Sequence, residues 1–97
     1  MKEYFILATV NLSIYEESVY MCGIFGAITL NGTTNVSDAN ALGKFAEERG
    51  RDSSGLVVGS LEDGYSIYRA DLPVTKLFQK VRFTKPQIIA GHSRLAT

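Results

Sequence analysis

GIFGAITLNGTTNVSDANALGKFAEERG, residues 23–50, changes its hydrophobic period once, and that change sets the fold class. Gly23 to Leu30 is almost continuously apolar, too short for a typical helix, and runs into Asn31-Gly32-Thr33-Thr34. Such a run predicts a buried strand followed by a turn. Ala39, Leu42, Phe45, Ala46 and Arg49 then fall at helical spacing. Ser37 is the expected N-cap, Asp38 suits the positive end of the helix dipole, and Gly50 is the expected stop. The spacing therefore predicts an amphipathic helix over 38–49.

Outward from that segment the signals are shorter. Residues 4–10 predict a short strand. Leu56 to Ser60 and Tyr65 to Ala70 predict two strands, joined as a hairpin through Leu61-Glu62-Asp63-Gly64. A short helix is expected from Pro73, since proline is tolerated in a first turn. Gln87 to Ala90 predicts another buried strand, running into GHSRLAT, residues 91–97. Strand, helix, hairpin, helix, strand is an α+β order.

Composition narrows the function classes. Ninety-seven residues make one small domain, and 45% hydrophobic with 21% charged residues is a globular composition. Ten basic and ten acidic residues balance, which gives no sign of a nucleic-acid or membrane-surface partner. One cysteine excludes an internal disulfide, and one cysteine with one histidine cannot build a zinc site. No stretch approaches the roughly 20 apolar residues that span a bilayer. The opening MKEYFILATVNLSIYEESVY has an apolar run, Tyr4 to Val10, but Glu3 sits where a secretory signal is basic. No small-residue cleavage site follows Glu16 and Glu17. A reduced, cytoplasmic setting is the expectation.

Three stretches carry reactive or strongly polar groups. Cys22, in MCGIFG (residues 21–26), is either an ordinary buried thiol or a nucleophile. Gly23 and Gly26 leave room beside it for a ligand or another backbone. Met21 immediately before it would serve as a start whose removal frees the Cys22 α-amine. Such an amine has a reference pKa of about 7.7–8.0 and can serve as base for its own thiol, without a catalytic histidine. With residues 1–21 attached, that nitrogen is an amide and accepts no proton. RGRDSSG, residues 49–55, is either a solvated loop or a buried charged brace of Arg49, Arg51 and Asp52. In GHSRLAT, Arg94 offers a bidentate partner for a carboxylate, and His92 shares its face of an extended chain. A structural role for His92 is the plainer alternative.

Together MCGIFG, RGRDSSG and GHSRLAT, in that order, resemble the class II glutamine amidotransferases, the N-terminal-nucleophile family. The resemblance covers residues 21–97 and leaves 1–20 as an extension, from a misassigned start or a propeptide. It implies the first half of an αββα sandwich, antiparallel sheets with flanking helices, cut short at its C-terminus. It also implies that Cys22 attacks the side-chain amide of L-glutamine, forming a thioester and ammonia, with no cofactor and no metal. Arg94 would grip the substrate's α-carboxylate, Thr97 would line the same pocket, and Arg49, Asp52 and His92 would support the site. The ammonia would pass to an acceptor or synthase domain, with sugar-phosphate amination the first expectation. Leu95 stands where many sugar-phosphate-aminating relatives carry tryptophan or tyrosine. The family's oxyanion-hole Asn-Gly segment and its later aspartate do not follow GHSRLAT in this sequence. The chain as written is therefore expected to be inactive. The alternatives are a non-catalytic remnant or interaction domain of the same fold, and another N-terminal-cysteine amide hydrolase.

Overall fold

One strand organises the molecule: β2, Ser18–Thr29, at whose centre the MCGIFG segment lies. The computed structural model describes residues 3–14, 18–30 and 32–96, with side chains described for Phe5, 23–30 and 32–94. Along β2, Gly23, Phe25, Ala27 and Thr29 are buried, whereas Ile24 and Ile28 are 41% and 38% exposed. That period of two marks a strand covered on one face only. The apolar run predicts a buried strand, and only one of its faces is buried. Among the described residues, both helices lie on one side of it, and no layer covers the other.

The remaining elements are β1 (Glu3–Ile14), α1 (Val36–Glu47), β3 (Ser53–Ser60), β4 (Gly64–Ala70), α2 (Val74–Lys80) and β5 (Ile88–Ala96). The five strands form one antiparallel sheet in the order β1-β2-β5-β3-β4. The α+β order read from the sequence stands, with β1 longer than expected. Its pairing follows β2 from Glu3↔Thr29 to Ile14↔Ser18.

The core fills the space between sheet and helices. Phe25, Ala27, Leu56, Val58 and Ile89 from the strands meet Ala39 and Ala46 of α1 and Val74, Leu77 and Phe78 of α2. The Phe25 and Phe78 rings stack with centroids 6.0 Å apart, and Phe78 continues the stack to Phe83 at 5.6 Å. Gly23 is where α1 lies closest to β2. A Cβ built there would sit 2.7 Å from the Ala46 Cα and closer still to its carbonyl oxygen. The room that Gly23 leaves is thus filled by a helix backbone and not by a ligand. Gly26, on the other face, has only ordinary contact, its nearest neighbour being the Ala90 Cβ at 3.5 Å.

Helix boundaries depend on neighbours in space. Asn35, not Ser37, is the N-cap of α1: its Oδ1 accepts the Asp38 N–H at 3.0 Å. Asn35 is extended while Ser37 is already helical, so only Asn35 has the cap geometry. At the other end Glu48 remains right-handed, and tight i→i−3 bonds from Arg49 and Gly50 close the helix. Gly50 therefore stops nothing by a left-handed turn; positive φ among the described glycines occurs at Gly32 and Gly64. Gly64, at φ 74°, closes the β3–β4 hairpin after a three-residue connection, and Asp63 N–H bonds the Ser60 hydroxyl at 3.1 Å. The α2 helix has no side-chain cap of its own. Glu47 supplies one from α1, its Oε1 accepting the Thr75 N–H at 3.1 Å and hydroxyl at 2.7 Å.

Gln87 ties one end of the sheet. Its N–H bonds Gly59 and its carbonyl accepts from Thr29 N–H and the Thr34 hydroxyl, all within 2.9 Å. Its side-chain amide reaches Leu61 N–H at 2.7 Å. Thr29 and Thr34, both 1% exposed, satisfy one another's hydroxyls at 3.1 Å.

The two faces of β2 make opposite demands on glycine. Gly23→Ala must push α1 off the sheet and is expected to cost about 1–3 kcal/mol, as overpacking does. Gly26→Ala is expected to be neutral or mildly stabilising. Urea denaturation of both variants checks this, and equal midpoints would contradict the close crossing of α1.

Candidate functional site

Sheet register assembles the site from segments far apart in sequence. Cys22 of β2 pairs with Arg94 of β5, and Arg94 pairs with Ser53 of β3. The row Cys22–Arg94–Ser53 therefore draws one residue from each of the three polar motifs. Directly opposed residues of an antiparallel pair share a face. One step along, the row Ile24–His92–Gly55–Arg69 crosses β2, β5, β3 and β4. Of these residues, Ile24, Ser53, Gly55, Arg69, His92 and Arg94 belong to the face away from the helices. Ser53, Arg69, Asp71, His92 and Arg94 line one open cleft of about 460 Å³ there.

Backbone and hydroxyl bonds hold the RGRDSSG segment to this edge. Asp52 N–H donates to the Arg94 carbonyl at 2.9 Å. The fully buried Ser93 hydroxyl donates to the Gly50 carbonyl. Ser54, also buried, donates its hydroxyl to the Leu72 carbonyl at 2.7 Å. Arg49, Arg51 and Asp52 themselves are exposed, so the expected burial of this charged segment is not found. Arg51 lies 3.9 Å from the Glu47 carboxylate, an exposed guanidinium against the carboxylate that caps α2. The physical reason is depth: at the outer end of α1 and the start of an outer turn, these side chains reach water without crossing the core.

Arg94 is exposed on β5. His92 and Arg94 share a face, as their spacing indicated, because both line the cleft. His92 lies across Gly55: a Cβ at Gly55 would be 2.7 Å from the His92 Nε2. Loss of solvent against the sheet lowers the imidazole pKa below its ordinary 6.5, and the guanidinium charges of Arg69 and then Arg94 lower it further. His92 is therefore harder to protonate than a free imidazole.

Sequence reading missed Ser53, Arg69 and Asp71. A signal for Arg69 exists in β4: Tyr65, Ile67 and Arg69 alternate on one face, so a cation there follows two apolar positions. Thr97 lies outside the described residues, as does the side chain of Cys22. The Cys22 backbone is described, and it lies within β2, opposite Val10 of β1. The Met21–Cys22 peptide bond is thus enclosed in a paired strand, with Asn11 opposite Met21.

Comparison of the chain with family models, with curated proteins and with solved structures gives no match. Among the described residues no helix is long and apolar enough to cross a membrane.

His92 is the only histidine in the chain, so its titration by NMR is free of overlap. Its midpoint is expected below 6.5. Arg69→Gln removes a repelling charge and should raise that midpoint part of the way, since desolvation, the larger cause, remains. A group protonated less readily in the folded state makes stability fall as pH drops from 6.5 through the lowered value. An unchanged midpoint in Arg69→Gln would remove Arg69 from the surroundings of the imidazole.

Proposed function

We propose that residues 21–97 are the front part of a glutamine-hydrolysing domain of the class II, N-terminal-nucleophile type. The observation that supports this reading is the cross-strand row Cys22–Arg94–Ser53, where three motifs separated by up to 72 positions meet on neighbouring strands. A nucleophile and a carboxylate anchor on adjacent strands suit a short amino-acid substrate.

In this reading Arg94 holds the α-carboxylate of glutamine in a charge-assisted pair, and Thr97 borders it. The Cys22 α-amine takes the thiol proton, and Sγ attacks the side-chain amide carbon. The C–N bond then breaks, the proton passes to the departing nitrogen, and ammonia leaves a thioester. Water hydrolyses the thioester, releasing glutamate and restoring the thiol. His92, Arg49 and Asp52 would support the site without taking part in this chemistry. In the family this reading draws on, a later Asn-Gly segment provides the oxyanion hole, and losing such a donor commonly costs about 10²–10³ in turnover. Ammonia would pass to a separate acceptor domain, with sugar-phosphate amination first among the candidates, in a cytoplasmic protein. The wholly antiparallel sheet with helices on one face is compatible with half of an αββα sandwich, in which a second sheet would cover the open face.

The position of the Met21–Cys22 bond favours a second reading for the unprocessed chain. While β1 remains joined to β2, the Cys22 nitrogen is an amide, and the protein is a non-catalytic module of the same fold. Intact-mass measurement of the natural protein, with glutamate release assayed on the same sample, separates the two. A mature form beginning at Cys22, with release abolished in Cys22→Ala, is the expected result. Retention of residues 1–21 without glutamate release would leave the non-catalytic reading. Cys22-dependent release with those residues still attached would overturn the role of the α-amine.

A further inference from the structure

The cleft contains a feature that a carboxylate anchor at Arg94 does not use. Arg69 reaches it from β4, two strands beyond Arg94 and roughly 10 Å away across the sheet. Between Arg69 and His92 lies Gly55, which carries no side chain, and the His92 Nε2 occupies that gap, 2.7 Å from where a Gly55 Cβ would stand. An alanine at Gly55 would occupy the space the imidazole uses. The row His92–Gly55–Arg69 therefore brings an imidazole and a guanidinium together on one open surface. Ser53 supplies a hydroxyl beside them, half-buried at the wall of the same cleft. Of the charged side chains lining it, Arg69 and Arg94 are cationic and Asp71 is anionic, so the formal charge is 2 − 1 = +1.

We propose that Arg69 and His92, joined across Gly55, form a seat for a small oxyanion, a carboxylate or a phosphate group, separate from the Arg94 position beside Cys22. A guanidinium provides a planar pair of donors for such a group, and the imidazole N–H adds a third from β5, on the far side of β3. The seat does not depend on Cys22 reacting, and it exists in the uncleaved chain.

The bound anion also couples to the protonation of His92. The charged groups around the imidazole are Arg69 of β4, Arg94 of β5 and Asp71 at the rim. Its neighbours on β2 and β3, Ile24 and Gly55, carry no charge. Both arginines disfavour the imidazolium, and an anion between His92 and Arg69 reverses that bias. Anion affinity is therefore expected to rise as pH falls through the imidazole midpoint.

The test is an NMR titration of the full 97-residue chain with inorganic phosphate and, separately, acetate, at constant ionic strength made up with chloride. The sole imidazole is the reporter. The expected result is a saturable rise of its pKa by on the order of one unit with at least one of the two anions. That rise should be retained in Arg69→Lys and lost in Arg69→Gln. The relative response to phosphate and acetate identifies which oxyanion the seat prefers. No saturable shift with either anion would overturn the proposal, as would a shift of equal size in Arg69→Gln. Because the uncleaved chain is used, neither outcome bears on whether a processed Cys22 hydrolyses glutamine.

Discussion

The antiparallel register between β2 and β5, from Tyr20↔Ala96 to Ile28↔Ile88, is the constraint on which the rest of the structure depends. A slip of one residue would carry every side chain of either strand to the opposite face. The fit of Phe25 to Gly91 opposes such a slip. A Cβ at Gly91 would lie 2.7 Å from the Phe25 ring and 2.6 Å from the Gly55 carbonyl, so only glycine can stand opposite that ring. Moving β5 one place would bring Ala90 or His92 against it. The same register that seats Phe25 in the core also sets Arg94 beside Cys22. Core packing and site assembly are thus one condition, met by one pairing.

From this pairing the sheet acquires two faces of different character. On the helix side, glycine and alanine let α1 approach at Gly23 and Ala46, and three stacked phenylalanines fill what remains. On the open side the rows change along the strand direction. Ile24, Ile28, Ile88 and Ala90 border an apolar hollow of about 360 Å³. One end of that surface gives way to His92, Arg94, Arg69 and Ser53. Ile24 and Ile28 are partly exposed on this face.

Most elements were legible in the sequence because their signals are local. Gly23 to Leu30, the helix through Leu42 and Ala46, the hairpin around Gly64 and the helix after Pro73 appear close to where periodicity and turn residues put them. The errors came where distant residues decide. Ser37 satisfies the local preference for an N-cap, yet the bonds of Thr34 to Pro86 and Gln87 fix the chain so that Asn35 takes that position. Arg49, Arg51 and Asp52 look like a charged network on paper. In space they sit on an outer turn and the segment is held by the carbonyls of Gly50 and Arg94. The burial of β2 on one face only follows from the number of layers present, which no strand encodes by itself.

By itself the sequence determined the element order, the α+β class and the identity of the groups able to do chemistry: Cys22, Arg94 and His92. These are properties of short windows, where side-chain type and period carry the information. Only the tertiary structure decided which of these groups stand together. It set Cys22 opposite Arg94, brought Arg69 and Ser53 to the same cleft, turned the RGRDSSG charges outward, and enclosed the Met21–Cys22 bond between β1 and β5. The reason is that strand order and register depend on contacts between residues tens of positions apart, satisfied jointly by a single packing of Phe25, Gly91 and α1.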